Sequence, residues 1–579
     1  MTPSSPSFEQ ASRKIVTDFL HSVVVVDDRA SLNDEVNISN SYTPKDVALK
    51  APSTRAKKVQ TIVETTLQQN EHSEGVEEGA PNKDGDNTNN RDLKAKILID
   101  TFAEIGLVCA VLKPVDKDER LESQTDHATQ KSDIVILDWQ ISESETSPGE
   151  TALRLIKKII KTDSKDRLRL IAIYTTSQDL HGITEKVSDV IKTPSETASI
   201  DGFEITRGPI KVVIYQKSGG TTTIAEHRVV DEANLPEKLI NDFTSLTKGL
   251  LSNVALKSLG ALRENTHRII SKFNSGLDAP YVAHRILTNP SEEAETHPIP
   301  LLTSEFNEIL EDCNVCDEVS IDSIKIWLNH LEDVSIIKDD KLEGISSTQL
   351  KELIGILLEK GLEKERTKGT PSNWRDLLKA LYRSEKVRLS ELTVLLSKDE
   401  EQGAEKDLDF AVLTTMRSHY SNISPSLKLG SIIKEMDGTI QRYLICLQPL
   451  CDSVRVTKER KFPFLPLVEA SSESPNDFEI VLQIDGDYKK FKVKLNPYLL
   501  ELIPFKPHAG DKEIKATLDS NNIFSLKDSA EMKQYRWVGE LKFPQAQRIV
   551  NKFGSQISRV GLTESDWLRR MATAANQND

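Results

Sequence analysis

The stretch Ile134-Val135-Ile136-Leu137-Asp138-Trp139 decides the fold of the first part of this chain. Its four consecutive apolar residues predict a strand buried on both faces, with a carboxylate at the carboxyl end. Three further runs end on polar side chains in the same way: Val23-Val24-Val25-Val26 on Asp27-Asp28, Leu170-Ile171-Ala172-Ile173-Tyr174 on Thr175-Thr176, and Val212-Val213-Ile214-Tyr215 on Gln216-Lys217-Ser218. Ligands bind at the carboxyl edge of open parallel sheets, so these polar residues are candidates for one site.

Amphipathic helical patterns alternate with these strands. Residues 148–162 and 181–191 carry apolar side chains at helical spacing, and residues 203–209 indicate an added edge strand with a turn. The alternation predicts an α/β, flavodoxin-like doubly wound parallel sheet over residues 1–234.

A long insert interrupts this alternation. Asp28 and Asp138 lie 110 residues apart, whereas two βα units need only about 40–60 residues. The tract at 71–90 has almost no large apolar residue, so burial cannot offset the entropy lost on ordering it. We therefore expect a disordered insert near residues 29–92.

The remainder of the chain divides into three predicted regions. An apolar stripe from Pro236 predicts a long connecting helix over 235–279, which leaves open whether it pairs with a second copy in a homodimer or packs within one chain. Residues 280–424 read as an all-helical domain. Residues 425–579 read as α+β, with Asp485-Gly486-Asp487 as a hairpin turn.

Charge, hydropathy and cysteine spacing argue against a nucleic-acid binder, a membrane protein and a zinc protein. The net charge of −15 argues against a general nucleic-acid binder, which needs a basic face. No apolar run approaches the roughly 20 residues that span a bilayer, and the start lacks an apolar signal region, so we expect a cytoplasmic protein without a membrane partner. The lone Cys313-Asn314-Val315-Cys316 motif lacks the four ligands of a zinc site.

The order of the polar strand ends resembles the receiver domain of two-component response regulators. The resemblance implies that Asp138 accepts a phosphoryl group from a sensor histidine kinase. It also implies an Mg²⁺ ion held directly by Asp28 and Asp138, through water by Asp27, and by the backbone carbonyl of Gln140. Thr175, with Thr176 as the alternative, and Lys217 would contact the phosphoryl oxygens. Haloacid-dehalogenase-type phosphatases use similar residues in the reverse order and are set aside.

Two departures from the receiver pattern concern signal output. Ser218 stands where the family usually has proline after the lysine. The family's switch aromatic lies three residues before the lysine, where this chain has Ile214, and Tyr215 comes one residue later. The sequence therefore does not match the family pattern at the aromatic through which phosphorylation is usually coupled to an output face.

A second resemblance rests on the later part of the chain. Residues 443–455, 558–562 and 567–570 are similar to intermediate regulators of defensive two-component (Detocs) antiphage systems. This implies a phosphate sink that competes with an effector response regulator and is not an enzyme, apart from slow autodephosphorylation. Two alternatives stay open: a degenerate receiver acting as a signalling scaffold, and a relay with an unrecognised C-terminal effector activity.

Overall fold

The computed structural model describes residues 6–31, 93–114, 119–142, 147–162, 167–192, 198–218, 225–289, 291–331, 346–361, 393, 396, 400–420, 423–436, 441–470, 477–520, 523–530 and 532–558. These form two compact units, one of Met1–Phe273 with Leu302–His330 and one of Asn274–Leu301 with Leu331–Asp579. The predicted disordered insert lies outside the described residues, apart from its first three positions, so it and the predicted domain boundaries stay predictions.

The strands of the first unit lie in the sequence both before and after the predicted insert. In chain order they are β1 (Ser22–Val26), β2 (Ala30–Ser31), β3 (Leu93–Lys94), β4 (Val108–Leu112), β5 (Ile134–Leu137), β6 (Arg169–Thr175), β7 (Ser199–Asp201), β8 (Glu204–Arg207), β9 (Ile210–Lys217) and β10 (Val229–Val230). The order across the main sheet is β4-β1-β5-β6-β9-β8-β7, with β10 also beside β9 and β2-β3 as a separate pair.

The main sheet confirms the predicted doubly wound arrangement. Strands β4, β1, β5, β6 and β9 are parallel, and the antiparallel β7–β8 hairpin adds an edge to β9, as residues 203–209 predicted. Val26 pairs with Leu137, and Leu137 pairs with Ile173, so the carboxyl ends of β1, β5 and β6 lie at one edge.

Fifteen helices are present among the described residues. They are α1 (Phe8–Phe19), α2 (Ala95–Glu104), α3 (Glu119–Thr129), α4 (Glu150–Thr162), α5 (Leu180–Ile191), α6 (Leu235–Thr247), α7 (Leu250–Glu264), α8 (Thr266–Lys272), α9 (Asp278–Leu287), α10 (Pro298–Asp312), α11 (Ile321–His330), α12 (Ser347–Lys360), α13 (Glu400–Thr415), α14 (Leu450–Ser453) and α15 (Phe543–Ile557).

Helices cover both faces of the first sheet, which explains the uninterrupted apolar strands. We call the face packed against α1, α2 and α6 the α6 face; Val25, Tyr174 and Tyr215 belong to its core. The opposite face, packed against α4 and α5, is the α5 face, and its core includes Ile173 and Ile214. Successive strand residues alternate between the two cores, so both sets must be apolar.

The single long helix predicted over 235–279 is wrong. The chain forms α6, α7 and α8 instead, with breaks at Lys248-Gly249 and at Asn265. Glycine is a poor helix former, which suits it to this break. Helix α7 packs on α1, where the buried Asn253 side chain donates a 3.0 Å hydrogen bond to the Ser12 hydroxyl.

The second unit contains an antiparallel sheet next to its helical segments, as the sequence predicted. Its strands are β11 (Ser431–Glu435), β12 (Tyr443–Cys446), β13 (Arg460–Glu469), β14 (Ile480–Ile484), β15 (Asp487–Val493), β16 (Glu501–Phe505), β17 (Thr517–Leu518), β18 (Phe524–Lys527) and β19 (Gln534–Glu540). Their order is β14-β15-β13-β12-β11-β19-β18-β17, with β16 beside β13. Asp485 and Gly486 both have positive φ, as the tight β14–β15 turn requires.

Helix α15 packs on one face of this second sheet through Ala546, Ile549 and Phe553. None of the helices in the described part of the chain is long and apolar enough to cross a membrane.

Candidate functional site

Four parallel strands deliver polar side chains to one edge of the first sheet. Asp27 and Asp28 follow β1, Asp138 follows β5, Thr175 ends β6 and Lys217 ends β9. The backbone holds two of these ends together, because the Asp138 N–H donates to the Val26 carbonyl over 2.9 Å.

Lys217 links two of the three aspartates. Its Nζ lies 2.6 Å from Asp27 Oδ2 and 3.2 Å from Asp138 Oδ2, and all three residues are at most 8% exposed. The ammonium also lies 5.6 Å from the centre of the Tyr174 ring. A buried ammonium held between two carboxylates is a fixed positive charge next to any group that binds at Asp138.

The three aspartates form a candidate cation site. One oxygen from each of Asp27, Asp28 and Asp138 lies within 4.8 Å of the others. Asp27 already accepts hydrogen bonds from the Arg29 N–H and from Lys217, one on each oxygen. Asp28 Oδ1, in contrast, is buried and has no hydrogen-bond partner. Three ionised carboxylates and one ammonium leave a net charge of −2, so the donor set fits a divalent cation such as Mg²⁺.

The acid cluster shifts the pKa values of its members. Burial raises the pKa of Asp138 to about 6; the charges of Asp27 and Asp28 add to this, while Lys217 opposes it. Burial and then the charge of Asp27 raise the pKa of Asp28. Burial alone would lower the pKa of Lys217, but the attraction of Asp138 and Asp27 outweighs it and the pKa is raised.

The other predicted site residues lie at or just after the ends of β5 and β6 at the same edge of the sheet. Thr175 is buried, and its hydroxyl oxygen accepts a 3.1 Å hydrogen bond from the Ser177 N–H, whereas Thr176 is exposed. The side chain of Gln140 is exposed, which leaves its predicted role to its backbone carbonyl.

The loop after β5 is held by Trp139. Its ring is 4% exposed and packs against Gly149, where an added Cβ would approach the ring to 2.1 Å. Gly149 also has a φ of +89°, which other residues rarely adopt. Close packing at this glycine therefore orients the segment that carries Asp138.

Tyr215 was singled out by the sequence, but its partner was not. Its hydroxyl donates a 2.7 Å hydrogen bond to Asp242 Oδ2 on α6, while Ile214 lies in the core of the α5 face. A shift of one position along a strand moves a side chain to the opposite face of the sheet. The alternation of side chains along β9 could therefore have predicted that Tyr215 faces α6, although not its partner there. Burial and the Asp242 charge raise the pKa of Tyr215.

The sequence did not single out Tyr174 and Gln216, which directly precede the site residues Thr175 and Lys217. The Tyr174 hydroxyl donates a 2.8 Å hydrogen bond to the Val230 carbonyl in β10, which lies beside the end of β9. Gln216 is 1% exposed, although it is a polar residue directly before Lys217. A polar residue at the end of an otherwise apolar strand was the available signal.

Comparison with protein families gives one match. Residues 19–222 match the family model described as "Response receiver domain", and this range includes strands β1 to β9 and the acid cluster. Comparisons with curated proteins and with solved structures found no match. Together, the parallel sheet, the polar residues at its carboxyl edge and the family match support a receiver-domain protein, whose receiver domain lies in the first unit.

Proposed function

We propose that this chain is a phosphoacceptor response regulator in which Asp138 takes a phosphoryl group from the phosphohistidine of a sensor histidine kinase. The observation that carries the proposal is the contact of Lys217 with both Asp27 and Asp138, next to the unpartnered oxygen of Asp28. A parallel sheet with incidental polar ends would not need a buried ammonium and three clustered carboxylates at one edge.

The chemistry places distinct demands on each residue. An oxygen of Asp138 forms a bond to phosphorus as the bond from phosphorus to the histidine nitrogen breaks. The attacking carboxylate must be ionised, and a pKa of about 6 leaves most of it ionised at neutral pH. Lys217 and the Thr175 hydroxyl supply positive charge and a hydrogen-bond donor for the transferred oxygens, which lowers the cost of bringing two anions together.

An Mg²⁺ ion would supply further positive charge between the carboxylate and the phosphoryl group. Asp28, with its free oxygen, and Asp138 are the proposed direct ligands. Asp27, whose oxygens already accept hydrogen bonds from Arg29 and Lys217, is the proposed ligand through water. The backbone carbonyl of Gln140 completes the protein ligands.

We further propose that the protein is a phosphate sink in a two-component antiphage pathway. In this role it competes with an effector response regulator for phosphoryl groups from the same kinase. The support is the resemblance of residues 443–455 to Detocs intermediate regulators.

Radiolabel transfer tests the phosphoacceptor part of the proposal. Wild type should become labelled by a phosphorylated histidine kinase or by labelled acetyl phosphate, and Asp138→Asn should not, since it keeps the shape and removes the nucleophile. Asp100→Asn, an exposed carboxylate on α2, is the matched control and should label normally. Equal labelling of wild type and Asp138→Asn would contradict the acceptor assignment.

The sink role needs a competition experiment. Adding wild type to a mixture of kinase and effector should drain label from the effector at low kinase activity, and Asp138→Asn should not. Labelling at Asp138 without competition would keep the receiver and replace the sink with a relay. A complete absence of labelling would favour the scaffold alternative.

A further inference from the structure

Gln216 has a buried amide that the site described above does not use. The residue is 1% exposed, and neither its Oε1 nor its Nε2 has a hydrogen-bond partner. Nearly all buried polar groups in folded proteins are paired, and an unpaired one costs free energy. A buried amide with both ends unpaired, next to a phosphoacceptor site, therefore calls for a functional explanation.

The strand register places Gln216 beside Thr175. The two residues are direct Cα partners between β6 and β9, and neighbouring strands lie about 4.8 Å apart. Tyr174 and Tyr215 belong to the core of the α6 face, and Ile173 and Ile214 to that of the α5 face. By alternation, the side chains of Thr175 and Gln216 both lie on the α5 side of the sheet.

In its described contacts the Thr175 hydroxyl acts as a hydrogen-bond acceptor and not as a donor. Its oxygen accepts the 3.1 Å hydrogen bond from the Ser177 N–H. To contact a phosphoryl oxygen, which is an acceptor, the hydroxyl must donate its proton. A neighbouring N–H donor that occupies the hydroxyl oxygen would direct the proton toward the phosphoryl group.

We propose that Gln216 is a positioning residue that acts through Thr175. When Asp138 carries a phosphoryl group, the Nε2–H of Gln216 donates to the Thr175 hydroxyl oxygen, and the Thr175 O–H donates to a phosphoryl oxygen. This rests on the proposed phosphoacceptor function. In this arrangement an amide on the strand carrying the lysine holds the hydroxyl in its donating orientation, at a strand position where β9 is otherwise apolar on this face.

The test measures phosphoryl acceptance from labelled acetyl phosphate in the full-length chain. Gln216→Leu should accept the phosphoryl group about three- to tenfold more slowly, the effect of one neutral hydrogen bond. The concentration of phosphodonor giving half-maximal rate should not change, because Gln216 does not touch the donor. Gln448→Leu is the matched control: it removes a buried amide in the second unit whose Nε2 also lacks a partner, and its rate should equal that of wild type.

A double-mutant cycle separates positioning from a structural role. Gln216→Leu should slow acceptance in wild type but add nothing in a Thr175→Ala background. An unchanged rate in Gln216→Leu, or an equal loss in both backgrounds, would overturn this inference and leave the phosphoacceptor proposal intact. Failure of wild type to label would overturn both. If Gln216→Leu does not fold, Gln216→Met, which keeps the length without the amide, takes its place in the same cycle.

Discussion

The proposed cation site predicts that a divalent cation stabilises the first unit and that substitution of Asp28 removes this effect. Asp28→Asn keeps the shape of the side chain and removes one of the three clustered carboxylates. Burial and Asp27 disfavour the ionised form of Asp28, so its pKa is raised and its charge destabilises the metal-free protein. In EDTA, the variant should unfold at the temperature of wild type or higher.

Magnesium should change that order. A ligand present at a hundred times its dissociation constant stabilises the folded state by about 2.7 kcal/mol. At roughly 2–4 °C per kcal/mol for a domain the size of residues 19–222, the unfolding transition of the wild-type receiver domain should rise by roughly 5–10 °C. Asp28→Asn, which replaces the charged carboxylate by a neutral amide at the residue whose Oδ1 is unpartnered in this structure, should show little or no rise.

Thermal unfolding of the full chain, followed by calorimetry in EDTA and in excess Mg²⁺, measures both effects. Asp100→Asn is the control for removing one negative charge elsewhere on the same unit, and its Mg²⁺ response should match that of wild type. A rise in Asp28→Asn equal to that of wild type would refute the assignment of Asp28 as a ligand.

Two further substitutions and a pH series test other parts of the site. Burial raises the pKa of Asp138 from 3.8 in the unfolded chain to about 6 in the folded protein. In EDTA, the stability that Asp138 contributes is therefore fully present below pH 3.8 and is lost as the pH rises through 6. Denaturant titrations of wild type should show a loss of up to about 3 kcal/mol by pH 7.5, and Asp138→Asn should lack this loss. Gly149→Ala introduces a Cβ that clashes with Trp139 at a φ of +89°, and it should destabilise the first unit by about 1–3 kcal/mol or more in denaturant titration. Gly106→Ala is the control: the added Cβ contacts nothing, so the substitution should cost only the strain of the positive φ. Tyr215→Phe leaves the buried Asp242 without its 2.7 Å donor and should cost about 1–3 kcal/mol by the same titration, with labelling at Asp138 retained.

The placement of the site residues followed from the sequence because it depends on backbone periodicity alone. Continuous apolar runs such as Val23-Val24-Val25-Val26 indicate strands buried on both faces, and the carboxyl ends of parallel strands meet at one edge. The acids, the threonine and the lysine were therefore expected at one edge of the sheet, and the structure brings Asp27, Asp28, Asp138 and Lys217 into one cluster there. Side-chain conformation was not needed for this step.

The contacts within the site could not be predicted in the same way. Lys217 lies closer to Asp27 than to Asp138, at 2.6 Å against 3.2 Å, and this depends on rotamers that sequence spacing does not encode. The single helix over 235–279 failed for a related reason. Its apolar stripe is divided between two helices: α6 packs on the sheet and on α1, and α7 packs on α1 after the break at Lys248-Gly249, while Leu251 is exposed.

The last residues of β9 project to both faces of the sheet and have different neighbours on each face. Lys217 and Tyr215 are two residues apart and project to the same side, where Lys217 contacts the acids and Tyr174, and Tyr215 is hydrogen-bonded to Asp242 on α6. Gln216 projects to the other side, beside Thr175. This chain has Ile214 at the position where receivers carry their switch aromatic, and the buried hydrogen bond of Tyr215 is made on the α6 face. Of the last three residues of β9, Gln216 alone lies on the α5 face. A phosphoryl group on Asp138 would therefore meet Lys217 on one face of β9 and, through Thr175 in the proposed arrangement, Gln216 on the other face.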